Sequence, residues 1–189
     1  MTDAAIRVLI VDDDEDMRAT LTDFISRLGV TVSTAGTVAE AQWALRTDGS
    51  PFELVLTDLK LPGGSGMDVL RAARDRSAGT LVTIITGYAS LDTAIEAIRF
   101  GAYDYITKPF TLDEIGVQVR NMIARVSLSK ENAQLSLRLQ ELCRQVDSLR
   151  NERHTALRLQ EEIRQELQDY GRKLDLILAA LSPHDLTTP

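Results

Sequence analysis

Residues Val8–Met17 read VLIVDDDEDM: four branched aliphatic side chains, then Asp12, Asp13, Asp14, Glu15 and Asp16, closed by a methionine. An unbroken run of branched aliphatic residues is the pattern of a strand covered on both faces, which in turn implies a parallel sheet with helices on either side. Five consecutive carboxylates at the tip of such a strand should repel one another. Their placement makes chemical sense only if other parts of the chain deliver compensating groups to the same end of the sheet.

Outward from this stretch, four more short runs have strand character: Thr31–Thr34, Leu54–Thr57, Leu81–Thr86 and Tyr103–Thr107. Between them, apolar residues recur at helical spacing, as in Met17, Leu21, Phe24, Ile25 and Leu28. The segment Leu61–Gly66 (LPGGSG) supplies turn chemistry. Strands alternating with helices predict an α/β fold, a doubly wound five-stranded parallel sheet. In such sheets ligands bind beyond the carboxyl ends of the strands. The residues found there are Asp12 and Asp13 after the first strand, Asp58 after the third, Thr86 at the end of the fourth and Lys108 after the fifth.

The grammar changes near residue 127. Leu128, Leu135, Leu142, Leu149, Ala156, Ile163, Tyr170 and Ile177 recur every seven residues. A second seam follows four residues behind each: Asn132, Leu139, Val146, Arg153, Gln160, Leu167, Leu174 and Leu181. That alternation is the heptad signature of a coiled coil. Thr111-Leu-Asp-Glu114 is a capping box, so the fifth helix is expected to start there and run into the heptads without a break. Unbroken to Leu181 it would be roughly 105 Å long at about 1.5 Å per residue. A lone helix would leave a leucine stripe in water, so a partner is implied: a parallel homodimer with Asn132 setting register, or a hairpin folding back near Arg150–Ala156. The expected division is therefore 1–127 globular, 128–182 coiled coil and 183–189 a flexible tail.

Composition fits this plan. The 189 residues are 44% hydrophobic and 26% charged, with net charge −7, a soluble globular class with no large basic surface for nucleic acid. The acidity belongs to the first part: residues 1–127 carry net −6 and residues 128–189 net −1. Cys143 is the single cysteine, which excludes an intrachain disulfide. No segment has the apolar length to span a bilayer and no leader pattern opens the chain, so a cytoplasmic location is expected.

Chemically the strand-end set is coherent. Three converging carboxylates call for a hard divalent cation, and Mg²⁺ is the one expected. A hydroxyl and an ammonium beside them suit an incoming phosphoryl group, and a carboxylate can be the nucleophile that accepts it. With Asp12–Asp13, Asp58, Thr86 and Lys108–Pro109 in place, residues 5–127 resemble the receiver domain of two-component response regulators. The strings DLKLPGGSGMDVL and AIRFGAYDYITKPF are similar to receivers of the enhancer-binding class.

The resemblance implies that Asp58 is phosphorylated and that Asp13 ligates Mg²⁺, helped by Asp12 and the backbone carbonyl of Lys60. It implies a cis Lys108–Pro109 bond, and a switch formed by Thr86 and Tyr105. Gly87 stands where the family keeps a small residue, and Tyr88 follows it, at a position expected to shield the acyl phosphate from water. Asp14, Glu15 and Asp16 read instead as charges decorating a helix N-terminus.

The leading function is a phosphoacceptor rather than an enzyme. A histidine kinase would phosphorylate it, and the signal would pass through a coiled-coil homodimer or an unidentified protein partner. Regulators of the enhancer-binding class normally carry an ATPase and a DNA-binding domain. No such motif follows residue 127, so direct DNA binding is not expected. Two readings compete: a phosphatase of the haloacid-dehalogenase type, whose first motif Asp12-x-Asp14 superficially matches, and a constitutive coiled-coil scaffold that uses the receiver for docking.

Overall fold

The computed structural model describes residues 5–181 apart from 48 and 89, so the expected tail at 183–189 lies outside the described residues. Strand β1 (Arg7–Val11) is followed by α1 (Glu15–Ser26), β2 (Thr31–Ala35), α2 (Val38–Thr47) and β3 (Leu54–Asp58). Two short strands, β4 (Lys60–Leu61) and β5 (Gly64–Ser65), pair antiparallel before α3 (Gly66–Arg76). Then come β6 (Leu81–Thr86), α4 (Leu91–Arg99), β7 (Asp104–Thr107) and α5 (Leu112–Leu181). The long strands form one sheet in the order β2-β1-β3-β6-β7, with every neighbouring pair parallel.

Period-two alternation divides the core between the two faces of this sheet. Leu9, Val11, Val55, Val82 and Ile84 point to one side, where α2 and α3 contribute Ala41, Leu45, Val69 and Leu70. Val8, Ile10, Leu54, Leu56 and Ile85 point to the other, against Leu21 and Ile25 of α1. On that second side α5 lays down Ile115, Val119, Met122 and Val126, a helical stripe at spacings of four, three and four. The central strands are sealed on both faces, as their continuous aliphatic runs require.

Strand ends shift slightly from the expected ones: β2 and β3 each gain a residue, and β7 begins at Asp104 rather than Tyr103. The turn-rich LPGGSG segment goes further than a turn, because its flanks pair as β4 and β5. Gly66 is obligatory there. A β-carbon on it would sit 2.1 Å from the carbonyl oxygen of Asp58, well inside van der Waals contact.

The chain divides into two compact units between Glu131 and Asn132. In the first, α5 remains engaged as far as Lys130, whose ammonium reaches Glu53 Oε1 at 2.7 Å. The second unit is helical through Leu181, with no reversal near Arg150–Ala156, so the hairpin alternative is not formed. Its large apolar seam residues from Leu135 to Ile177 are 47% to 66% exposed. No helix among the described residues is long and apolar enough to cross a membrane.

Candidate functional site

Parallel register brings the carboxyl ends of β1, β3, β6 and β7 to one edge, and the side chains singled out above collect there. Asp12 follows β1, held by its N–H bond to Ala35 O (3.2 Å), and is almost fully buried. Its Oδ1 accepts the Asp14 N–H at 3.0 Å. Asp58 is the last residue of β3, and its Oδ1 accepts the Lys60 N–H at 3.1 Å. The Lys108 ammonium donates to Asp12 Oδ2 and to Asp58 Oδ2, each at 2.8 Å. Carboxylate oxygens of Asp12, Asp13 and Asp58 all lie within 4.8 Å of one another, a donor set of hard oxygens that fits a divalent cation.

Lys108 is fixed from behind. Its backbone N–H donates to Thr86 O at 2.8 Å, and the following peptide to Pro109 is cis, as expected. Burial alone would lower the lysine pKa, but its hydrogen bonds and charge interactions with Asp12 and Asp58 outweigh that and hold it above the ordinary lysine value. The ammonium is therefore the counter-charge of the pocket.

Thr86 is wholly buried, and its Oγ1 accepts the Tyr88 N–H at 3.1 Å. Gly87 between them keeps space open above Lys108, since an added β-carbon would meet only the Lys108 Cβ at 3.9 Å. Tyr105, half-buried, bonds through its hydroxyl to Thr93 Oγ1 of α4 at 2.9 Å. The remaining acids of the opening stretch behave as helix-start charges. Asp14 is the N-cap of α1, accepting from Met17 N at 3.1 Å, and Glu15 and Asp16 lie in the first turn.

Three contacts were not legible in the sequence. Arg18 Nη1 donates to the Asp12 carbonyl at 2.6 Å, tying α1 to the strand tip. The Lys60 ammonium stands 3.1 Å from the centroid of the exposed Tyr88 ring, which links β4 to the segment after β6. Thr93 serves both the α4 capping box and Tyr105. Arg18 offered one faint signal, its position one helical turn after Asp14; the other two join separate elements, β4 to the segment after β6 and α4 to β7.

Comparison with known proteins agrees with this geometry. The response regulator receiver domain model matches residues 8–120. The response regulator protein PilR of Pseudomonas aeruginosa is 37% identical over 146 residues, covering 77% of this chain and 32% of PilR. The regulatory protein AtoC of Escherichia coli is 36% identical over 125 residues, 66% of this chain and 27% of AtoC. The chain thus spans about a third or less of the length of these relatives.

Among solved structures, the signal receiver domain of a putative LuxO repressor protein from Vibrio parahaemolyticus has TM-score 0.61 and 28% identity, covering 67% of this chain and 95% of that one. A CheY-like receiver domain from Methanospirillum hungatei gives TM-score 0.62 at 28% identity, covering 66% and 98%. A parallel five-stranded sheet whose exits gather three carboxylates, a threonine and a bridging lysine, matched over residues 8–120, places this chain in the receiver-domain family of two-component response regulators.

Proposed function

We propose that Asp58 is the phosphoacceptor of a phosphorelay, charged by a histidine kinase in the cytoplasm, and that residues 128–182 form a coiled-coil homodimer through which the receiver (1–127) signals to a protein partner. One observation carries the first half: Lys108 bridges Asp12 and Asp58 at 2.8 Å on each side. That arrangement keeps Asp58 in a compact acidic pocket with a cation already aimed at the oxygen where a phosphoryl group would attach.

Receiver domains bind Mg²⁺ at an acidic pocket, and the oxygens of Asp12, Asp13 and Asp58 suit it. Asp13, Asp12, Asp58 and the carbonyl of Lys60 would hold the ion, which supplies charge neutralisation for the phosphoryl oxygens. In the transfer, an Asp58 oxygen bonds to phosphorus as the bond from phosphorus to the donor nitrogen breaks, and the electron pair leaves with that nitrogen. Lys108 follows the new negative charge, and the Thr86 hydroxyl exchanges its tie to Tyr88 N–H for a hydrogen bond to a phosphoryl oxygen. Movement of Thr86 leaves space that Tyr105 can take by releasing Thr93. The two arrangements need differ by only a few kcal/mol for one phosphoryl contact to select between them.

The half-exposed seam of the second unit supports the dimer reading, since such a stripe is what a coiled coil covers. The dehalogenase-type reading loses ground, because Asp14, the second acid of its motif, is occupied as the α1 N-cap. Incubation with acetyl phosphate and Mg²⁺ should label the protein, and Asp58→Asn should abolish the label. Catalytic turnover that persists in Asp58→Asn and depends on Asp12 would refute the assignment. Light scattering with and without beryllofluoride tests the output: a fixed mass and unchanged partner affinity favour the scaffold reading.

A further inference from the structure

The heptad seam of the second unit is not uniformly apolar, and its polar members specify how a second copy would align. Asn132, Arg153 and Gln160 occupy one seam, and Ala156 is the smallest residue of the other. The helix runs through all of them without a break, and no described side chain of the second unit is buried. Whatever covers this stripe must therefore accommodate an amide near its start, and a guanidinium and a second amide near its middle.

We infer that the occupant is a second copy of this chain, aligned parallel and in register. This deepens the coiled-coil reading above and rests on it. In that alignment Asn132 faces Asn132 and Gln160 faces Gln160, so each amide meets another amide that can both donate and accept. Arg153 of one copy lies against the hole edged by Glu152 of the other, because a residue of the Asn132–Arg153–Gln160 seam packs beside the residue preceding its counterpart. The two guanidinium groups splay apart toward those carboxylates rather than toward each other. The flanking positions that face each other in this alignment, one pair per heptad, contain no like-charged pair: Glu131 meets Ser136, Arg138 meets Cys143, Gln145 meets Arg150 and Glu166 meets Gly171, while Glu152, Arg164 and Lys173 each meet a leucine.

An antiparallel pair using the seam end to end loses these matches. Asn132 then meets Ile177, Gln160 meets Leu149 and Arg153 meets Ala156, each twice by symmetry. Every polar seam group would be set against a hydrocarbon surface without a partner for its N–H donors.

The single cysteine makes the orientation measurable on the full chain. Cys143 is exposed and flanks the seam, so it accepts a nitroxide label. Dipolar electron resonance should give one distance of about 2–3 nm for a parallel in-register pair, whose labels share a level. In the antiparallel pair Cys143 lies opposite Glu166, an axial offset of about 35 Å at about 1.5 Å per residue, and the distance exceeds about 4 nm. Arg153→Glu should weaken the dimer about tenfold by placing carboxylates together, and Glu152→Arg added to it should restore affinity to within about twofold.

A dimer with the long distance, or one indifferent to the Arg153→Glu exchange, overturns the alignment while leaving the coiled coil standing. A monomer mass in light scattering with no dipolar coupling overturns the coiled-coil reading itself.

Discussion

Replacing Lys108 by methionine keeps a linear side chain and deletes the one charge that bridges Asp12 and Asp58. At an effective dielectric of about 20, each 2.8 Å contact is worth about 6 kcal/mol of gross Coulomb attraction, and two carboxylates within 4.8 Å of each other repel by at least about 3.5 kcal/mol. Desolvation of the ammonium offsets much of that gross figure. Removing one partner of a buried ion pair costs about 3–5 kcal/mol, and the lysine side chain is 23% exposed, so the lower end applies. About 3 kcal/mol in a domain of this size lowers the melting temperature by about 12 °C in EDTA.

Mg²⁺ should then behave differently in the two proteins. In the wild type the cation must displace or share with the ammonium, whereas in Lys108→Met it meets carboxylates that nothing else neutralises. Tenfold tighter binding is about 1.4 kcal/mol of extra stabilisation at saturating metal. The melting gap between wild type and variant should accordingly shrink by about 5 °C when about 20 mM MgCl₂ replaces EDTA. Differential scanning calorimetry reads both quantities. An EDTA gap below about 3 °C, or a gap that Mg²⁺ leaves unchanged, would refute the account of Lys108 as the counter-charge of a metal pocket.

The raised Lys108 pKa has its own consequence. A group whose pKa rises on folding contributes stability that is complete below its unfolded value and disappears as pH climbs through the folded one. Wild type should therefore lose melting temperature above about pH 10.4 more steeply than Lys108→Met, and parallel profiles would contradict this. Gly66→Ala forces a β-carbon to within 2.1 Å of the Asp58 carbonyl oxygen. It should cost about 4 kcal/mol or displace Asp58 enough to slow phosphorylation by acetyl phosphate; an unperturbed, fully active variant would show that the loop yields freely. Tyr88→Ala removes the ring under Lys60 and should speed hydrolysis of the phosphoprotein; a lifetime equal to or longer than that of the wild type would remove Tyr88 from any shielding role.

Local pattern carried most of the fold. The aliphatic runs of β1 and β6 end in the sequence where they end in space, because Asp12 follows the first and Gly87 the second. The Thr111–Glu114 box forms as read, with Glu114 Oε2 accepting the Thr111 N–H at 2.7 Å. Gly66 was legible as a turn residue only. Its requirement comes from a carbonyl eight residues away, and no periodicity encodes such a distance.

The site divides along the same line. Residue types at strand exits could be read from the chain, because sheet topology alone brings them together. Their bonding could not, since Lys108 reaches Asp12 across 96 positions and Asp58 across 50. Thr93 shows why such contacts matter. Its Oγ1 lies 3.2 Å from Ser90 N, 3.0 Å from Ser90 Oγ and 2.9 Å from the Tyr105 hydroxyl, while donating to Ser90 O at 3.0 Å. A hydroxyl oxygen has two acceptor positions, and the Ser90 N–H takes one. Ser90 and Tyr105 therefore compete for the other. When Tyr105 lets go, Ser90 can fill its place, so the α4 cap survives the departure and Tyr105 is held by a bond that is easily exchanged.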